Sequence, residues 1–341
     1  KRYEFVVHRG PSAIRSNFPR AVCHDGEDVK AIEVLSPGLF TTVQDLGREG
    51  FGPMGVSPSG AADPISLRLG NRLVGNDQRA AALEMTLHGG TFRFPEGAIV
   101  ALTGSDFNSD LDGNHVSAWT SIEARRSQTL RVGPTPSGAR CYLCVQGGIE
   151  VGRFLGSAST HVLTGLGGVD GRPIRKGDVL KITPAAETFR HRTIDPRIVE
   201  RLAHRKILRV TVGPQSDWFP ESSQRLFYSS TYRVAEDSNR MGLRLEGSPV
   251  PARAGRQMIT EGVSLGAIQI PAAGQPIILF VDQQTTGGYP KIANVISADL
   301  HRIGQLRPRD EIRFEQVELE AARSLLTEQE EVLRSETIVQ E

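Results

Sequence analysis

"GARCYLCVQGG" (residues 138–148) and "GQPIILFVDQQ" (274–284) are the two stretches on which the fold turns. Each is a short apolar run, the length of one strand, opened by Gly and closed by polar residues. Each is followed some thirty residues later by a similar close, "IRKGDVLKI" (174–182) and "LRPRDEIRF" (306–314). Val145 aligns with Val281 at an offset of 136, and Asp178 with Asp310 at an offset of 132. Two anchors in the same order, with one small insertion or deletion between them, indicate a duplicated unit.

Working outward, a first unit runs over 31–190 and a second over 206–320. The charged segment "HRTIDPRIVERLAHR" links them across 191–205. Residues 1–30 have no clear period and form an appendage, and 321–341 form a C-terminal helix and tail. The 341-residue length suits two domains. Gly (36) and Pro (20) are plentiful, which favours a loop-rich, mainly β chain over a helical bundle.

Within the first unit, "AIEVLSPGLFTTVQDLG" (31–47) reads as strand, turn, strand. "TFRFP", "AIVALTG", "HVSAWTS", "QTLRVG" and "RCYLCVQ" read as further strands at the spacing of a barrel or sandwich. One helix is expected after Asp63, a good N-cap, with Pro64 at N1, Ile65, Leu69 and Leu73 on one face and Gly75 as the stop. "VELEAARSLLTEQEEVLRS" (317–335) is an amphipathic helix with Leu319, Ala322, Leu325 and Leu326 on one side.

Forty Lys+Arg balance thirty-nine Asp+Glu, so charge gives no reason to expect a nucleic-acid or anionic-membrane partner. No apolar run approaches the ~20 residues a membrane span needs. Residues 1–20 are basic but lack a continuous apolar core and a small-residue cleavage site, so no secretory signal is expected in them. Three cysteines (Cys23, Cys141, Cys144) suit a reducing cytoplasm. Cys141 and Cys144 lie three apart on a strand and so face opposite sides, which makes them packing residues and not a chelating pair. No metal site, phosphate loop, Rossmann fingerprint, nucleophile elbow or zincin motif is expected. The eight histidines are scattered, and His88, His115 and His161 read as surface or structural residues.

Three Gly-rich polar segments exceed what turns require. They are 41–63, 156–174, and 259–271 together with 282–291 ("DQQTTGGYPK"). Successive Gly and hydroxyl residues would let several backbone N–H groups face one point, a cradle for a carboxylate or oxyanion. Tyr289 and Lys291 add a phenol and an ammonium, and Asp45 and Arg48 a carboxylate and a guanidinium.

"PGLFTTVQDLGREGFGPMGVSPSGAADPISLRLGNRLVGN" (37–76), "ITEGVSLGAIQIPAAGQPIIL" (259–279) and "VDQQTTGGYPKIANVISADL" (281–300) resemble the biotin-dependent carboxyltransferase family. That family includes KipA, the C component of bacterial 5-oxoprolinase, proteins called allophanate hydrolase subunit 2, and the second half of the urea carboxylase carboxyltransferase domain. The resemblance covers about residues 32–315. It implies two cyclophilin-like β-barrel domains, in line with the duplication.

The resemblance also implies a KipI-like B subunit as partner, and an A-type (LamB/YcsF-like) subunit in the 5-oxoprolinase setting. There the reaction opens 5-oxoproline to glutamate with ATP. The alternatives it carries are transfer of a carboxyl group from carboxybiotin to a urea-type nitrogen, and a non-catalytic antagonist of a KipI-like kinase inhibitor. Prolyl isomerisation would rest on fold alone. No biotinyl-lysine carrier motif or ATP-grasp region is present, so ATP and biotin would arrive on partners.

Placed on these motifs, the catalytic candidates are Asp45, Arg48, Glu261, Asp282 and Tyr289. The substrate-binding candidates are Gln44, Ser59, Gly60, Asp63, Gln269, Thr285, Thr286, Gly287, Gly288 and Lys291. Asp45, Glu261 or Asp282 would serve as base, Tyr289 as proton relay and Arg48 as carboxylate anchor. The amides of Thr286, Gly287 and Gly288 would serve as oxyanion donors. The chain departs from the family pattern at Ala62 (usually Met), at Ala158 and His161 (usually Arg and Tyr), at Gln283 (usually Arg) and at Arg309 (usually Gly).

Overall fold

The computed structural model describes residues 30–185, 188–203, 206–256 and 258–341. Cys23 and nearly all of the N-terminal appendage lie outside them. The architecture is mainly β with a few short helices, as expected. The first half builds a six-stranded and a five-stranded sheet, and the second half a closed seven-stranded barrel.

The strand Arg140–Val145 is central to the first half and pairs antiparallel with both Ala82–Thr86 and Ala98–Gly104. All six of its residues are buried. Its alternation feeds two apolar clusters. Cys141, Leu143 and Val145 enter the core shared by both sheets, whereas Tyr142 and Cys144 enter a second cluster under the helix Pro64–Leu73. Both thiols are free, and burial pushes both above their ordinary range.

That helix forms as its sequence dictates. The Asp63 carboxylate accepts from Ser66 N at 3.0 Å, Pro64 occupies the first turn, and Ile65, Leu69 and Leu73 are buried. Gly75, at φ 75°, donates to Arg72 O and ends it. One expected strand is broken. In 115–121 only the two ends are extended, because Trp119 adopts φ 65° and donates its N–H to Leu102 O at 2.7 Å.

The two closing segments fold alike. Asp178 accepts from Arg175 N at 2.7 Å and donates its own N–H back to Arg175 O. Asp310 does the same with Arg307, at 3.0 Å. Gly177 N donates to Val34 O, which belongs to a neighbouring strand, and Arg309 N donates to Val234 O in the same way. The residue before each Asp is left-handed: Gly177 at φ 89° and Arg309 at φ 73°.

The charged segment between the halves contains a strand, Thr193–Ile194, and a helix, Pro196–Leu202, capped by Asp195. The C-terminal helix Leu319–Arg334 follows the second barrel and returns to the first half. Arg68 grips Glu330 with two hydrogen bonds at 2.6 and 2.9 Å, and Val339–Gln340 pairs with Thr193–Ile194. Ala322, Leu325 and Leu326 pack inward as expected. Leu319 does not, and stays 56% exposed at the first turn. Among the described residues no helix is long and apolar enough to cross a membrane.

Candidate functional site

Four of the candidate residues meet at one cleft of about 730 Å³. Glu261, Thr285, Thr286 and Lys291 line its second-half wall, while Gly52 and Pro53 of the first-half loop line the other. The cleft is therefore made by both halves.

Its charged centre is a pair. Lys291, on the strand Lys291–Val295, is 4% exposed, and its ammonium hydrogen-bonds the Glu261 carboxylate. Gln215 Nε2 donates to the same carboxylate oxygen at 3.0 Å, and Gln215 Oε1 accepts from Lys291 N at 3.1 Å. The Lys291 hydrogen bond, then that of Gln215, hold the Glu261 carboxyl below its usual range. The base candidate and the ammonium are thus pre-assembled, with the carboxylate ionised.

The "TTGG" run is not a nest of convergent amides. Thr286–Gly287 is extended and pairs antiparallel with Glu261–Gly262, so successive N–H groups point to opposite sides. Glycine is needed at 287 for close approach: a Cβ there would lie 2.4 Å from Gln269 Nε2 and 3.1 Å from Val263 Cγ1. Gln269 is buried behind this ribbon. Gly288 follows it, and Tyr289, 47% exposed, sits at its end outside the cleft lining.

Asp45, Arg48 and Gln44 form a separate, buried cluster. Asp45 accepts four hydrogen bonds: from Gly47 N (2.8 Å), Ser157 Oγ (2.6 Å), Ser159 Oγ (2.6 Å) and Ala158 N (2.7 Å). Three of these fall on Oδ1 and one on Oδ2, and their evident work is to fix the 157–159 loop. Arg48 donates to Ser159 O and lies over the Phe154 ring at 5.6 Å. Burial lowers its pKa, against the opposing pull of Asp45 and Asp282. Gln44 Nε2 donates to Thr160 O at 3.1 Å.

Asp282 connects this cluster to the seam between the halves. Ser59 Oγ lies 2.9 Å from Asp282 Oδ1, and Arg240 Nε donates to Asp282 Oδ2 at 2.7 Å. Arg240 also reaches Glu84 at 2.5 Å and Gly60 O at 2.6 Å. Gln305 Nε2 donates to Asp63 Oδ2 at 2.8 Å, and its Oε1 accepts from Ser105 Oγ, Ala139 N and Arg140 N. Gly60, Asp63 and Asp282 therefore sit at the inter-half seam. Glu84, Arg240, Gln305 and Gln215 are functional neighbours that the sequence does not single out. Glu84 alone carries a signal: it stands inside the apolar run "ALEM", where an ionised carboxylate needs a partner.

Residues 54–316 match the family described as carboxyltransferase domain, subdomain A and B, and the chain belongs to it. It is 38% identical over 291 residues to the C component of 5-oxoprolinase from Escherichia coli, covering 85% of this chain and 93% of that protein. It is 35% identical to the C component of 5-oxoprolinase from Haemophilus influenzae, covering 86% and 94%. The urea amidolyase of Saccharomyces cerevisiae is 37% identical over 326 residues, which span 89% of this chain and 18% of that one. Among solved structures, the K. lactis urea amidolyase superposes with a TM-score of 0.83 at 33% identity, covering 91% of this chain and 20% of the other. The chain thus spans about a fifth of these urea amidolyases and nearly all of the two 5-oxoprolinase components.

Proposed function

We propose that this chain serves as the C component of a multi-subunit 5-oxoprolinase. It would act in the cytoplasm with a KipI-like B subunit and an A-type subunit to open 5-oxoproline to glutamate at the expense of ATP. The observation that carries the reading is the 38% and 35% identity to two 5-oxoprolinase C components over more than nine-tenths of their length.

The cleft chemistry supports it. 5-Oxoproline presents a carboxylate beside a lactam. Lys291 supplies the counter-charge, and Glu261, kept ionised by Lys291, is an acceptor for a proton from the attacking group. Thr285 and Thr286 offer hydroxyls to the lactam carbonyl. Asp45, Arg48 and Gln44 act from behind by fixing the 157–160 loop, and Asp282 by joining the halves. Lys291 is the one cation lining the cleft among the described residues and Glu261 shares it, so a multiply charged triphosphate finds too little counter-charge there and no step of ATP chemistry is assigned to this chain.

The second reading is a carboxyltransferase component that moves a carboxyl group from carboxybiotin to a urea-type nitrogen. The TM-score of 0.83 to urea amidolyase favours it. The deciding experiment mixes the purified chain with the B- and A-type proteins and measures ATP-dependent glutamate release from 5-oxoproline. Release that requires all three components is expected. Release undiminished when this chain is left out overturns the reading. No release from a stable three-protein complex, with carboxyl transfer to urea in its place, establishes the second reading.

A further inference from the structure

Beneath the C-terminal helix lies a cavity of about 170 Å³ whose lining shares no residue with the cleft. The helix Pro196–Leu202 gives it Arg201, the strand Ile207–Val212 gives Arg209, the segment 297–303 gives His301 and Arg302, and the helix Leu319–Arg334 gives Glu328 and Gln329. Arg209 grips Asp299 through Nε at 3.0 Å and Nη2 at 2.6 Å, and Arg302 Nη1 lies 3.2 Å from the same carboxylate. Asp299 is 0% exposed, so the surrounding guanidinium groups neutralise it inside the protein. Arg201, Arg209 and Arg302 thus converge on one cavity with Glu328 on its wall, while Asp63 and Glu315 act on His301 and Arg209 from outside the lining. Arg201 makes no ion pair among the described residues. His301 is 4% exposed and neither ring nitrogen completes a hydrogen bond, although the Ala298 carbonyl lies close enough to favour its protonated form. A buried imidazole with both nitrogens unserved is costly unless the cavity contents serve it.

We propose that this cavity binds one small oxyanion, a phosphate or the carboxylate of a small acid, held by Arg201, Arg209 and His301. The volume corresponds to about five or six waters at roughly 30 Å³ each. That is room for phosphate or an amino acid. Guanidinium forks match oxyanion geometry, and the imidazole adds a donor at the floor. The walls come from the linker, the second barrel and the helix that Arg68 anchors to the first half. An occupied cavity therefore ties the linker and the C-terminal helix to the second half. The inference stands apart from the reading of the cleft.

The test titrates the full chain with inorganic phosphate and, separately, with L-glutamate, at ionic strength held constant with sodium chloride. Thermal midpoint and calorimetric binding are both followed. A saturable rise of about 2–4 °C in midpoint is expected. R201E, an exposed helix position, is expected to leave the unliganded midpoint unchanged and weaken the apparent Kd at least tenfold, and H301Q to weaken it as well. Saturation by phosphate alone assigns an inorganic ligand, and saturation by glutamate alone assigns a carboxylate. No rise beyond the sodium chloride control with either anion, or wild-type affinity in both variants, overturns the proposal.

Discussion

Arg240 and Asp282 are joined by two hydrogen bonds, Nε to Oδ2 at 2.7 Å and Nη2 to Oδ1 at 3.2 Å, and both side chains are buried where the two halves meet. Arg240 reaches across to Glu84 of the first half as well. One guanidinium thus pairs with two buried carboxylates, one from each half, and Arg140 brings a second positive charge 3.6 Å from Glu84. Its own pKa balances burial, which lowers it, against Glu84 and Asp282, which outweigh burial and raise it.

Removing Arg240 strands those carboxylates. R240M is expected to cost about 3–5 kcal/mol in urea unfolding, because breaking a buried pair from one side leaves uncompensated charge. The triple variant with E84Q and D282N is expected to recover part of that loss. A triple variant less stable than R240M alone would contradict the assignment.

Asp45 is a base candidate by sequence, and its four accepted hydrogen bonds make it a positioning residue. D45N turns an acceptor toward the Ala158 N–H into a donor. It is expected to cost about 2–3 kcal/mol, the penalty of unsatisfied buried groups. Activity of the assembled enzyme should fall alongside. Abolished turnover at unchanged stability would instead make Asp45 the base.

At the cleft, K291M is expected to lower kcat/KM of the reconstituted complex by at least tenfold while changing stability by less than about 1 kcal/mol, since Glu261 is half exposed and rehydrates. The folded-state pKa of Glu261 is depressed. Its contribution to stability is therefore present above the ordinary carboxyl range and is lost as pH falls through the lowered value. K291M should shrink that acid limb, leaving the smaller part due to Gln215, as read from thermal midpoints across pH.

These relationships differ in how far a sequence can announce them. The helix 64–73 is legible because its cap, its Pro and its apolar spacing are all local. The Glu261–Lys291 pair bridges thirty residues, and Arg240 lies 42 from Asp282 and 156 from Glu84, so no window contains either network. The "TTGG" run misleads for the same reason. Whether consecutive glycines curl into a nest or extend as a strand depends on a partner, here Glu261–Gly262, that sits elsewhere in the chain. Leu319 fits the helix period yet lies at the exposed first turn, where no neighbouring element covers it.

The likeness of the two closing turns yields a prediction. Gly177 and Arg309 occupy the same left-handed turn position, where a side chain is strained. R309G is expected to stabilise by about 0.5–1 kcal/mol, the relieved strain exceeding the added freedom of the unfolded chain. It also removes an exposed ion pair with Glu236, worth little. G177R is expected to destabilise. Both are read from thermal midpoints, and a destabilising R309G would mean that the two turns are not equivalent.

His301 gives the chain a pH dependence of defined sign. Burial, then the neighbouring Arg302 charge, lowers its pKa, while Asp63 and Asp299 oppose that shift without cancelling it. Above the ordinary histidine pKa of about 6.5 both folded and unfolded states hold it neutral, and it contributes no slope. Below that value the unfolded chain takes up a proton that the folded chain refuses, so stability falls as pH drops, at up to about 1.4 kcal/mol per pH unit. H301Q removes the titrating group but keeps a polar side chain. Between pH 6.5 and 5 its thermal midpoint should therefore decline less steeply than that of the wild type. Identical slopes would mean that His301 protonates as readily in the folded protein as in the unfolded one.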